Sequence, residues 1–283
     1  MGAVDARRAR PTLESAFGDS SMVRKDDRDN ELKDGPTYQA PALEKGLDII
    51  ELLAQSGEPL SRSDIAKALG RSVGEIYRML HQLVQRNYIA TVGDSYVLTI
   101  KLFELSHYYP PTQRLLTEAT PVMHKLAADI DQSCHLTVYG QGRQLVIAKV
   151  DVPSGMGFSV RVGSELDVLV SASGRVLLAF QDSETRRLRV NESHLREPDQ
   201  DLDALAAKLV AIAKRGFEAA PSGQVRGLFA ISYPILDLRG HAIAALTVPY
   251  ADRIDQSSRT SQKEVESVLG DAAQLLTARL SGV

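Results

Sequence analysis

The stretch from Pro59 to Ala90, PLSRSDIAKALGRSVGEIYRMLHQLVQRNYIA, constrains the fold more than any other, because two short amphipathic helices in it meet at a single glycine. Ser61 is followed three residues later by Asp64, and Ser72 by Glu75. Both pairs have the form of a capping box, in which a hydroxyl accepts from a first-turn N–H and an acid reaches back to the cap. The first helix turns Ile65, Ala66 and Leu69 inward and stops at Gly70. The second turns Val73, Ile76, Leu80, Leu83 and Val84 inward and leaves Arg71, Gly74, Glu75, Tyr77, Arg78, His81 and Gln82 facing out. This is a helix-turn-helix pattern, whose second helix offers its N-terminal residues to base edges in the major groove.

The flanks extend it. Leu43, Leu47, Ile50 and Leu53, closed by Gly57, predict a preceding amphipathic helix. Tyr88 to Ala90, a Gly93-Asp94 turn and Tyr96 to Leu98 predict a hairpin, so residues 38–105 read as a winged helix-turn-helix domain. Pro110 and Pro111 in SHYYPPTQ interrupt helix continuation, which places a linker and bridging helix over 106–131 with Leu115, Leu116, Ala119, Val122, Leu126 and Ile130 on one stripe. Residues 1–37 have no sustained apolar period and read as a disordered tail.

Residues 132–283 read as strands with interspersed helices. Cys134–Tyr139 and Leu145–Val150 form one hairpin across Gly140 and Gly142; Phe158–Val162 is a further strand; Ala230–Leu236 and Ala242–Val248 form a second hairpin turned at Arg239-Gly240. Ala172–Phe180, Leu202–Arg215 and a last stripe through Val265, Val268, Leu269, Ala272, Leu275, Leu276 and Leu280 are helical. The fold class is α+β, an antiparallel sheet with flanking helices behind an N-terminal winged helix.

The net charge of -3 does not advertise a nucleic-acid partner, but its distribution is uneven. Between Arg62 and Lys101 six cations (Arg62, Lys67, Arg71, Arg78, Arg86, Lys101) face three acids (Asp64, Glu75, Asp94), the modest basic surface that phosphate neutralisation requires. No apolar run reaches membrane-spanning length, and the single cysteine, Cys134, forms neither an internal disulfide nor a cysteine metal cluster; the expected location is cytoplasmic, with no membrane partner. His135 and Cys134 alternate on a strand and face opposite sides, so they form no nucleophile–base pair. The remaining histidines lack zinc-helix spacing, and no dinucleotide or Walker loop occurs. The expectation is no enzyme, no metal and no cofactor.

The chain resembles the IclR family of bacterial transcriptional regulators from about Ala42 to Leu280, through GLDIIELLA, PLSRSDIAKALG, RMLHQLVQRNYI, RVGSELDVLVSASGRVLLAF, KRGFE, ISYPILDLRG and AIAALTVPY. The resemblance implies a winged-helix DNA-binding domain, a linker helix and, over 132–283, a GAF-like effector-binding domain. It also implies homodimers or homotetramers on palindromic double-stranded operators, acting as repressor or activator under a small organic acid effector, with RNA polymerase as a further partner.

The DNA-contact set is Ser61, Arg62, Arg71, Ser72, Gly74, Glu75, Tyr77, Arg78 and Lys101, with Arg78 matching a recurrent arginine of the family. Where relatives carry Lys-Ser-Thr or similar residues, this chain has Val73, Gly74 and Glu75; Glu75 either caps its own helix or accepts from a cytosine amino group. By resemblance the effector pocket takes Ala172, Ser173, Ala220, Ala230, Thr247 and Pro249, with Met156, Phe158 and Val160 on an apolar wall. Ala220 and Ala230 stand where relatives that bind small oxo-acids have Asp and Cys. Ser171, Gln224, Arg226 and Ser232 are added as donors, and Arg226 or Arg175 as the bidentate partner of an effector carboxylate. Two other classes stay open: a small-molecule-binding protein, or an enzyme, on the GAF-like domain with the winged helix serving protein contacts.

Overall fold

The computed structural model describes residues 40–108, 110–153, 157–252 and 260–282; the expected N-terminal tail and Met156 lie outside them. The chain divides into two compact units between Gln113 and Arg114.

In the first unit, helix α1 (Pro41–Ser56) opens on a proline and ends at Gly57, whose φ of 65° is the left-handed conformation that closes helices. Strand β1 (Leu60–Ser61) leads into α2 (Arg62–Ala68). Gly70, at φ 63°, turns the chain into α3 (Val73–Gln85). The hairpin of β2 (Ile89–Val92) and β3 (Ser95–Leu98) forms the wing, and β1 joins it as a third strand in the order β1-β3-β2. A short helix α4 (Lys101–His107) follows. Ile49, Leu53, Ile65, Ala66, Ile76, Leu80, Ile89 and Tyr96 make the core.

Two parts of the expected apolar stripes differ. Leu43 and Leu47 are 63% and 49% exposed, and the buried register of α1 runs through Ile49 and Leu53. Val73 is exposed as well, since it occupies the first turn of α3, before the helix reaches the core. An apolar spacing marks a face without saying how far along the helix a partner covers it.

The second unit is a six-stranded antiparallel sheet between helical layers. Helix α5 (Pro110–Ile130) precedes β4 (Cys134–Gly140) and β5 (Arg143–Val150), joined through Gln141 and Gly142, both at positive φ. After an irregular segment and the two-residue β6 (Glu165–Leu166) come α6 (Ala172–Ala179), α7 (Ser183–His194) and α8 (Leu202–Arg215). Strands β7 (Glu218–Pro221), β8 (Leu228–Leu236) and β9 (Ala242–Ala251) and helix α9 (Gln262–Ser281) complete it. The sheet order is β6-β5-β4-β9-β8-β7.

Strand alternation supplies a core to each face. Cys134, Leu136, Ile231, Ile235, Leu246 and Val248 pack with Leu115, Met123 and Leu126 of α5 and Val265, Leu269 and Leu276 of α9. Ala245 on the opposite face meets Val176–Ala179 of α6, backed by Val190 of α7 and Leu205, Leu209 and Ile212 of α8.

The strand expected over Phe158–Val162 is absent: that segment is irregular, and the edge pairing goes to Glu165–Leu166 against Gln144 and Leu145. Helix α7 carries no apolar stripe. It is held by Arg186, which donates to the carbonyls of Leu178, Ala179 and Gln181, and by Arg189, which donates to that of Leu177. These contacts satisfy the C-terminal carbonyls of α6 with cationic groups, which the helix dipole favours.

The tightest backbone approach is at Gly174, inside α6. A Cβ there would sit on the Val168 carbonyl oxygen and 2.5 Å from the Val168 Cα. Gly174→Ala should therefore destabilise the second unit by about 3 kcal/mol. Thermal unfolding should read this as a midpoint lower by roughly 10 °C.

Candidate functional site

Two surfaces collect the residues singled out above, one on each unit. On the first, α3 starts at a complete capping box. The Glu75 N–H donates to Ser72 Oγ at 3.3 Å, and Glu75 Oε2 accepts from the Ser72 N–H and hydroxyl, both at 2.8 Å. Lys45 donates to the other carboxylate oxygen at 3.3 Å. The Ser72 hydrogen bonds first, and Lys45 after them, push the Glu75 pKa down to about 2. Both carboxylate oxygens are thus engaged, Oε2 by the start of its own helix and Oε1 by α1.

The cations divide in the same way. Arg71 donates to Asp48 at 2.9 Å and is half-buried. The Arg62 guanidinium stands 5.1 Å from the centre of the Tyr77 ring and donates to the Tyr96 hydroxyl at 3.4 Å, linking α2, α3 and the wing. Lys101 pairs with Glu104 at 3.2 Å, and the Ser61 hydroxyl caps α2 by accepting from Asp64 N–H. Gly74, Tyr77 and Arg78 are exposed on the first two turns of α3, and Arg78 makes no ion pair with a described residue. Ser61, Arg62, Ser63 and Val73 also line a concavity with Thr91, Gly93, Asp94 and Tyr96, between the helix starts and the wing tip.

On the second unit, a cavity of about 530 Å³ opens between the sheet and the N-terminal turn of α6. Its floor is His135 of β4, Ala230 and Leu228 of β8, and Thr247 and Pro249 of β9. Ser171, Ala172 and Ser173 close one side, with Ser171 capping α6 by accepting from the Gly174 N–H at 3.1 Å. The 158–166 segment contributes Phe158, Ser159, Val160, Arg161, Ser164 and Leu166, and the loop after β7 contributes Ser222 to Val225.

Phe158, Val160, Ser171, Ala172, Ser173, Gln224, Ala230, Thr247 and Pro249 all lie on this wall. Three expected residues do not. Ala220 lines a separate depression of about 420 Å³ that shares only Gly223 with the cavity. Arg226 is exposed outside the lining. Ser232 is buried behind it, at 2.8 Å from the Thr247 hydroxyl. Arg175 is also withdrawn: it pairs with Glu218 through Nε at 3.0 Å and Nη2 at 2.6 Å, and donates to the carbonyls of Leu169 and Val170. Four of the five guanidinium N–H donors are thus committed within the protein, and Arg175 is buried outside the cavity lining.

His135, which the sequence leaves as a packed or pocket-lining residue outside the effector set, and Arg161, which it does not single out, both belong to the lining. Arg161, an exposed residue, is the single charged one among the described residues of the lining, which include no carboxylate. It belongs to the segment misread as a strand, which concealed its direction. His135 was legible by alternation, because Cys134 faces α5 and α9: its thiol donates to the Met123 carbonyl, and burial pushes its pKa up to about 12.

His135 itself is 4% exposed, and burial lowers its imidazole pKa from 6.5 to about 4. Between these values the unfolded chain binds a proton that the folded chain does not, so stability is complete above pH 6.5 and falls as pH drops towards 4. Denaturant titrations over this window should show wild type losing about 3 kcal/mol more than His135→Asn.

Comparisons with known proteins cover most of the chain. The family model described as the IclR helix-turn-helix domain matches residues 42–93, and that of the bacterial transcriptional regulator IclR C-terminal matches 108–277. The chain is 25% identical over 242 residues to the HTH-type transcriptional regulator KdgR of Escherichia coli, covering 83% of this chain and 91% of that one. It is 26% identical over 241 residues to the HTH-type transcriptional repressor AllR of Salmonella typhimurium, covering 81% and 88%. Among solved structures, an IclR homolog from Microbacterium hydrocarbonoxydans complexed with 4-hydroxybenzoate superposes with a TM-score of 0.69 at 20% identity, covering 86% of this chain and all of that one.

Proposed function

The chain belongs to the IclR family of bacterial transcriptional regulators, and from that premise we propose that it binds a palindromic operator as a dimer or dimer of dimers, switched by a carboxylate-bearing metabolite. The observation that carries the reading is the start of α3, where a capped helix exposes Gly74, Tyr77 and Arg78 beside a wing. Arg78 is the base-reading residue, with bidentate donation to guanine as its natural chemistry. Arg62 and Lys101 sit towards phosphates, while Arg71 positions the helix through Asp48. Glu75 acts as the cap of this helix, its two carboxylate oxygens engaged by Ser72 and by Lys45.

The carboxylate half is supported by the electrostatics of the cavity. Among the described lining residues Arg161 is the one that carries a charge, and the Ser171–Ser173 turn brings the positive end of α6 to the same space. The relative complexed with 4-hydroxybenzoate supports the same chemical class, an acid on an apolar body. To act as a switch, such a ligand must bind two conformations with different affinity.

Footprinting on DNA upstream of the protein's own gene, with and without a set of small carboxylic acids, should reveal a protected palindrome whose occupancy responds to one of them. Absence of any sequence-specific protection under all conditions would overturn the reading. Arg78→Ala should weaken specific binding roughly ten- to a hundredfold, with the oligomeric state on size exclusion unchanged. Arg161→Ala should retain operator affinity but shift the carboxylate response to about tenfold higher ligand.

A further inference from the structure

Val73 belongs by its spacing to the buried stripe of α3, yet it is 42% exposed in the first turn of that helix. It lines the concavity between the helix starts and the wing, beside Ser61, Arg62, Ser63, Thr91 and Asp94. The polar groups on the α2 side are engaged within the fold. The Ser61 hydroxyl donates to Asp64 at 2.6 Å and lies 2.8 Å from that of Ser63, and Arg62 donates to Tyr96.

Gly74 comes next, and a Cβ built on it would meet nothing within 4 Å, so open space lies beside the backbone of this turn. Glycine weakens a helix, so helix stability does not account for its presence here. Tyr77 is exposed one turn after Val73, and residues four apart on a helix are neighbours on one face. The Arg62 guanidinium braces the Tyr77 ring from the α2 side, 5.1 Å from its centre. Val73, Gly74 and Tyr77 therefore form an apolar notch whose floor is bare backbone. Arg78, four residues after Gly74, borders it on the other side.

We infer that this notch reads the C5 methyl group of a thymine in the major groove, with Val73 as the specificity-determining residue and Gly74 as the gap that admits the methyl. The inference rests on the operator reading above and adds a second base to the one assigned to Arg78. The first turn of a recognition helix is the part that meets base edges, and the thymine methyl is the apolar group among otherwise hydrogen-bonding edges there. Val73 and Gly74 carry no side-chain donor or acceptor, so they have nothing to pair with a guanine, adenine or cytosine edge but do have surface for a methyl. The flanking Arg62 and Arg78 are the charges that a phosphate backbone attracts, which commits the occupant of the notch to nucleic acid.

Binding isotherms of the full chain test this on a duplex carrying the footprinted sequence, with each thymine replaced in turn by deoxyuridine. The replacement deletes the methyl and leaves every hydrogen-bonding group in place. Wild type should lose affinity about fourfold at one thymine of each half-site, the value of one buried methyl. Val73→Ala should bind the thymine and uracil duplexes alike, while Val73→Ile keeps the preference. Gly74→Ala should raise the thermal midpoint of the protein and yet bind the thymine duplex more weakly, with the preference gone, because its Cβ takes the place of the methyl. A purely structural role for either residue would weaken both duplexes in proportion and leave their ratio at the wild-type value. Indifference of wild type to every replacement, or a preference that survives in Val73→Ala or Gly74→Ala, would overturn the inference and leave the operator reading standing. If no sequence is specifically protected, the operator reading fails and the inference falls with it.

Discussion

Val168 lies with its backbone against Gly174, too close for any side chain between them, and charged groups hold this strap from both directions. The Glu197 carboxylate accepts from the N–H groups of Val168 and Leu169, while the Arg175 guanidinium donates to the carbonyls of Leu169 and Val170 and pairs with Glu218. Buried ion pairs contribute little net stability, since desolvation offsets most of the attraction, but removing one partner costs roughly 3–5 kcal/mol. Their value here is geometric. The strap runs directly into Ser171, so the cap of α6 and one wall of the cavity are fixed by groups that never touch the cavity's contents.

The same economy appears in the first unit. Ser72 and Glu75 are used up in starting α3, and Arg71 in holding it to Asp48. Beyond its capping residues, the helix then exposes Val73, Gly74, which has no side chain, Tyr77, Arg78 and the polar positions that follow. A capped and tethered helix presents its outward side chains at defined positions, which base recognition needs; the tethering residues do not themselves have to read anything. The Arg62–Tyr77 contact extends this to the wing, because Arg62 also reaches Tyr96 on β3.

Sheet alternation sets the chemistry of the second unit. Cys134 and His135 are adjacent in sequence, yet one is packed among α5 and α9 and the other opens on the cavity. Burial acts on both in the direction of the uncharged form, raising the thiol and lowering the imidazole. The two neighbours therefore stand in different surroundings, the thiol donating to the Met123 carbonyl and the imidazole belonging to the cavity lining.

Local chemistry determined much of this molecule directly. Ser61 with Asp64, Ser72 with Glu75, and the glycines at 57, 70 and 93 mark helix starts and turns because caps and left-handed conformations are properties of a few neighbouring residues. The hairpins and the helix start at Pro110 were legible for the same reason, and half of the cavity lining was named from the family resemblance and the polar residues beside it. Tertiary structure alone decided the rest. The apolar spacing of α1 could not say that Leu43 and Leu47 stay exposed while Ile49 is buried, since that depends on where other elements end. The polar α7 is held by arginines reaching the carbonyls of α6, a long-range contact with no local period. Arginine is ambiguous in a sequence for the same physical reason. Its charge is visible, but only the fold decides that Arg175 is paired with Glu218, that Arg226 is exposed outside the cavity lining, and that Arg161 belongs to it.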